Sequence, residues 1–89
     1  MVTLFVVDVP PDLPNGSAVV RVHDGTLRLG HRFTRIEVAG VEHAVDLECT
    51  QIWRYEGVAV ETLESNFGGR VNLVGNGAQL IQRESTLIS

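Results

Sequence analysis

The chain has 89 residues, 44 % of them hydrophobic and 20 % charged, which fits one domain with a single core and excludes both a disordered chain and a second compartment. Seven arginines and no lysine face eleven acidic residues, a formal net charge of −4; generic binding to a nucleic-acid backbone needs a clustered basic face and is disfavoured. No apolar run reaches the roughly 20 residues of a membrane span, the amino terminus lacks the basic stretch that opens a secretory signal, and the single cysteine excludes an internal disulfide, so a cytoplasmic address is expected.

The first apolar run, Leu4 to Val9, is rich in β-branched residues and is closed by Pro10 and Pro11, which cannot donate to a sheet ladder. A loop through Pro14, Asn15 and Gly16 follows. Ala18 to His23 then alternates, with Val20 and Val22 on one face and Arg21 and His23 on the other. Asp24-Gly25 is a tight-turn signal, because both residue types tolerate positive φ. Thr26 to Leu29 resumes the alternation and stops at Gly30. From Arg32 to Val38, Phe33 is out of phase with Ile36 and Val38, which predicts a β-bulge near Thr34.

Ala39-Gly40 turns the chain into its longest strand candidate, about Val41 to Tyr55. Val45, Leu47 and Cys49 share one face there; Trp53 and Tyr55 are expected to continue it, with Ile52 on the opposite face. Val58 to Leu63, Val71 to Leu73, and the pair Leu80-Ile81 and Thr86 to Ile88 complete the strand signals. No segment of ten or more residues has a helical apolar face. About seven or eight strands in so short a chain leave no room for crossover helices, so the sheet is expected to be antiparallel. The predicted fold is a single all-β domain over residues 1–89, a small closed antiparallel barrel, since closure removes exposed edges. Val20, Val22, Leu27, Leu29, Val45, Leu47, Val71 and Leu73 are the expected core.

The stretch Asn15-Gly16-Ser17-Ala18-Val19-Val20-Arg21-Val22, followed by Asp24-Gly25-Thr26-Leu27-Arg28-Leu29-Gly30-His31, resembles the second, β-barrel domain of the elongation factor Tu family of translation GTPases. There a Gly-rich turn, a Thr-Val-Val type strand and a Gly-Thr-Leu-x-x-Gly-Asp hairpin occur in the same order. Gly69-Arg70-Val71-Asn72-Leu73-Val74-Gly75 is similar to that family's Gly-Asp-x-Val-x-Leu-x-Gly strand, and Leu80 to Leu87 to its closing Ile-x-Arg-Gly-x-Val-Leu element. The resemblance spans Phe5 to Ile88. It implies a translation-protein type of barrel; in the family that barrel helps to hold the acceptor end of a charged tRNA and contacts the ribosome. His31 stands where the family has aspartate and Glu84 where it has glycine, and the first loop carries three prolines. No residue-level contact carries over. Neither a phosphate-binding Gly-x-x-x-x-Gly-Lys-Ser/Thr loop nor any lysine is present, so nucleotide hydrolysis is not expected.

Tests for chemistry find no assembled set. His23, His31 and His43 lack metal-ligand spacing and read as solvated, two of them beside turns, and no metal or other cofactor is expected. Cys49 reads as a small buried hydrophobe rather than a reactive thiol. No serine has a nucleophile's context, and paired carboxylates such as Glu61 and Glu64 lack a cleft to shift them, so no enzyme and no catalytic residue is expected.

Two groups mark a candidate interaction surface. Arg28, Arg32 and Arg35 lie within eight residues, and Trp53, Arg54 and Tyr55 are of the types enriched in binding hot spots. For Trp53 the competing reading is the barrel core or a cap on one end, which a chain with five aromatics favours. The expected function is a non-catalytic binding module docking on a protein or ribonucleoprotein partner, with no membrane partner and with direct RNA contact left open. The alternative is an acidic inhibitor or immunity-type domain, in which Glu56, Glu61 and Glu64 face a basic partner.

Overall fold

The structure is a computed structural model and describes residues 1–54 and 57–89. Among the described residues nine strands follow one another: β1 (Thr3–Asp8), β2 (Ser17–Asp24), β3 (Leu27–Arg28), β4 (Arg32–Val38), β5 (Val41–Arg54), β6 (Val58–Val60), β7 (Thr62–Leu63), β8 (Gly68–Asn76) and β9 (Thr86–Ile88). The order β4-β9-β1-β2-β8-β5 closes on itself through a β4–β5 ladder, and every neighbouring pair is antiparallel. Six is an even number, as an all-antiparallel ring requires. The predicted small closed antiparallel barrel is therefore the fold. β6 lies outside the ring, paired along β5 beyond the point where β4 leaves it.

Alternation places the core. Leu4 and Val6 of β1, Val20 and Val22 of β2, Leu47 and Cys49 of β5, and Val71 and Leu73 of β8 are fully buried. A separate two-stranded ribbon pairs Leu27 of β3 with Leu63 of β7, and both side chains enter the same core. Leu29 departs from the expected core and is 43 % exposed. The reason is the shortness of β3, which ends at Arg28: the Leu29 amide turns to the Glu61 carbonyl at 3.0 Å, and Gly30, at φ 85°, breaks the alternation.

Two irregularities reset the strand phase. In β4 the register shifts between Phe33 and Arg35, so Phe33 and Ile36 both point inward, as the bulge expected near Thr34 requires. In β5 a second shift falls between Cys49 and Gln51. It reverses the expectation for the end of that strand: Ile52 is buried at 1 % exposure and Trp53 faces outward, half-buried. Tyr55 and Glu56 lie outside the described residues.

The β4–β5 hairpin turns on two residues, with Val38 opposite Val41 and positive φ at both Ala39 (51°) and Gly40 (81°), the backbone of a type I′ turn. The strand expected at Leu80-Ile81 is instead a 3₁₀ turn, Ala78–Leu80, entered through Gly77 at φ 100°. Its leucine packs against the core and Ile81 is buried, so an apolar pair served packing rather than a ladder. The ends of the described chain meet: the Val2 amide donates to Ser89 Oγ at 2.8 Å, and the Ser89 amide to the Val2 carbonyl at 3.1 Å.

Candidate interaction surface

The first sequence-predicted group is dispersed by pairing. Arg32 and Arg35 stand on the outward face of β4, beside the N-terminal half of β5. Arg32 donates through Nη1 to Asp46 at 2.7 Å and through Nη2 to Glu48 at 3.2 Å; Arg35 donates through Nη1 to Glu42 at 3.3 Å. This wall alternates in sign and presents no free cationic patch. Arg28 is exposed on the β3–β7 ribbon, opposite Thr62, and is separate from both.

The second group is brought against residues that the sequence reading left out. Trp53 of β5 lies opposite Arg70 of β8, and Arg70 lies opposite Val19 of β2. These side chains share the outer face, and the Arg70 guanidinium carbon sits 4.4 Å from the Trp53 ring centroid. Arg54, the next residue, has the inward phase of Ile52 and reaches the Phe67 ring, its guanidinium carbon 4.6 Å from the centroid. Each cation–π contact of this kind contributes about 0.5 to 1 kcal/mol at an exposed site. The close approach of β8 to β5 depends on Gly69, where an added Cβ would fall 2.5 Å from the Trp53 carbonyl oxygen.

One row across the barrel therefore reads Asp8, Val19, Arg70, Trp53 and Ala59, on β1, β2, β8, β5 and β6. The next row includes Phe5 opposite Arg21, and Arg21 opposite Gly68. Phe5 and Val7 are 38 % and 45 % exposed. Among the described residues no ion pair involves Arg21, Arg28 or Arg70, while Asp8, at the margin, meets Arg83 at 3.9 Å. The missed residues carried a partial signal. Strand parity in Gly69-Arg70-Val71 already directs Arg70 outward, but only the β5–β8 register reveals that it meets Trp53.

Cys49 and His31 sit in or against the core. Cys49 is fully buried, and that burial pushes its thiol up to about 12, so it is not a nucleophile at neutral pH. His31 is not solvated as expected: it packs edge-on against Phe33, centroids 4.9 Å apart, and its Nε2 is buried without a partner. Burial, and secondarily the charge of the terminal amine, holds its pKa below the ordinary 6.5. Among the described residues no three His, Cys, Asp or Glu side chains are grouped to hold a metal, and no helix is long and apolar enough to cross a membrane. Comparison with protein-family models, curated proteins and solved structures found no match in any of the three.

Proposed function

We propose that this chain is a non-catalytic binding module that docks on a protein or ribonucleoprotein partner, through the outer wall where β2, β8 and β5 run side by side. The observation that carries the reading is the arginine–aromatic stack of Arg70 on Trp53, which stands on that outer wall near the end of β5. Tryptophan and arginine dominate interface hot spots because each offers a large, flat contact area together with a polar handle. Elsewhere on the described surface the arginines of β4 are already occupied by carboxylates.

The translation-protein type of barrel belongs to the same proposal. The motifs that resemble elongation factor Tu fall on the β2 strand with its preceding turn, on β3, on β8, and on the 3₁₀ turn leading to β9. β2, β8 and β9 are strands of the closed ring, and β3 belongs to the separate ribbon whose Leu27 enters the same core. A barrel of that type is reused for many partners, so the wall's chemistry, not the fold, carries the functional reading.

The test is retention from an extract of the cells that make the protein, with and without ribonuclease, comparing the immobilised chain with Trp53→Ala and Arg70→Ala. The expected result is a partner held by the parent chain and lost from both variants, each of which keeps a native circular dichroism spectrum. Ribonuclease sensitivity assigns a ribonucleoprotein, and insensitivity a protein. Identical retention by all three chains overturns the proposal. A partner lost only on charge reversal at Glu61 or Glu64 makes the acidic inhibitor reading the correct one.

A further inference from the structure

On the docking wall, Arg21 of β2 and Arg70 of β8 are diagonal neighbours: Arg21 is opposite Gly68, and Arg70 is opposite Val19. Such positions lie about 7 to 8 Å apart in an antiparallel pair. Gly68 places no side chain between them. Arg70 is held by the Trp53 ring rather than by a carboxylate, so its guanidinium is positioned but not neutralised. Around the two cations stand apolar groups at intermediate exposure or more: Phe5, Val7, Val19 and Trp53. The row from Val19 to Ala59 contains no acidic residue, and Asp8 of β1, opposite Val19, lies 3.9 Å from Arg83 Nε.

Resting on the docking reading, we propose that Arg21 and Arg70 form a two-pronged clamp for carboxylates of an acidic segment of a partner protein, whose apolar side chains rest on Phe5, Val7, Val19 and Trp53. Charge complementarity selects the carboxylates, and the apolar surround selects a peptide over a polyanion. A nucleic-acid strand gains affinity by neutralising several phosphates, each adding close to one unit to the log–log salt slope. Two cations on a chain of net charge −4 supply little of that term. A carboxylate that accepts from a guanidinium gains a charge-assisted hydrogen bond, stronger than a neutral one, and one or two such bonds suffice to orient a segment.

The experiment is selection of a random twelve-residue peptide library displayed on phage against the immobilised chain, followed by titration of the selected peptides as synthetic molecules, observed by Trp53 fluorescence. The expected result is enrichment of aspartate or glutamate interleaved with apolar residues. Arg21→Ala and Arg70→Ala should each weaken the selected peptides about tenfold, and Arg35→Ala less than twofold. Amide spectra of each variant confirm the fold. No enrichment, enrichment without acidic residues, or equal affinity for Arg21→Ala and the parent overturns the clamp. So does an oligouridine or tRNA that binds more tightly than the peptides and loses affinity in the same variants, because the wall then serves RNA. The two proposals fail separately. Loss of the extract partner in Trp53→Ala without any acidic peptide preference sinks the clamp alone, and acidic peptides bound in the predicted way by a chain whose variants retain the same extract partners sink the docking reading alone.

Discussion

Where β4 runs beside the N-terminal half of β5, each outward arginine meets a carboxylate: Arg32 meets Asp46 and Glu48, and Arg35 meets Glu42. Where β8 runs between β2 and the C-terminal half of β5, Arg70 meets an indole and Arg21 faces a glycine. The two walls share strand β5 and a common core, yet one is electrostatically closed and the other keeps its cations available. Cross-strand register decides this, not the number of arginines in a stretch of sequence. Arg28, Arg32 and Arg35 are close along the chain but do not form a patch, whereas Arg21 and Arg70 lie far apart in sequence and adjacent in space.

The sharpest way to break the comparison is to show that the walls do not share a core. Leu47 lies under the paired wall and Leu73 under the open one, and both are fully buried. Leu47→Ala and Leu73→Ala should each cost about 2 to 5 kcal/mol in a urea melt, with one cooperative transition. A cost below about 1 kcal/mol for either, set against that range, would mean that its wall packs loosely and separately.

A smaller effect distinguishes the charges themselves. The Arg32 and Asp46 side chains are 58 % and 65 % exposed, so their pair contributes at most about 1 kcal/mol and is screened by salt. Arg32→Ala should therefore lower stability slightly in dilute buffer and not at all in about 1 M salt, where the Debye length is near 3 Å. Arg70→Ala removes a contact with a ring face and should cost about 0.5 to 1 kcal/mol, with much weaker salt dependence. Equal salt dependence for the two variants would erase the distinction between the walls.

What the sequence made legible follows from the same physics. Alternating runs bounded by glycine and proline announced an all-β barrel, and the misphased Phe33 announced the bulge in β4, because both signals are local. The bulge at Thr50 left no comparable mark. Cys49 and Ile52 are both apolar, so the run reads equally well with Trp53 inside or outside, and only pairing with Asn72 of β8, whose carbonyl accepts from the Thr50 hydroxyl at 3.2 Å, selects the outward indole. Leu29 was misplaced because a two-residue strand is too short for alternation to govern its neighbours. Arg21 and Phe5 were visible as residues but not as partners, since their meeting depends on the β1–β2 register.

The hairpin that delimits the paired wall offers a gain rather than a loss. Ala39 occupies the left-handed region at φ 51°, which an L-residue with a Cβ enters at a cost of roughly 1 kcal/mol, and asparagine or glycine tolerates it better. Ala39→Gly or Ala39→Asn should raise stability by about 0.5 to 1 kcal/mol while leaving binding at the opposite wall unchanged. Destabilisation by both substitutions would mean that the turn is not of the I′ type.

The smallest expected effect concerns pH and lies at the base of the paired wall. His31 precedes Arg32, its carbonyl accepts from the Cys49 amide at 2.9 Å, and its ring packs on Phe33 with Nε2 buried and unpartnered. Burial lowers its pKa from the ordinary 6.5, so the folded chain resists protonation where the unfolded chain accepts it. The unfolded state then binds more protons below about pH 6.5, and stability rises with pH through that window. The contribution is complete above the unfolded value and is lost as pH falls from there toward the folded one. Chemical denaturation at pH 7, 6 and 5 should therefore show a declining midpoint, and His31→Gln should flatten the decline in this interval, above the range in which ordinary carboxylates titrate. A decline of the same size in His31→Gln would assign it to another group and leave His31 as a packing residue only.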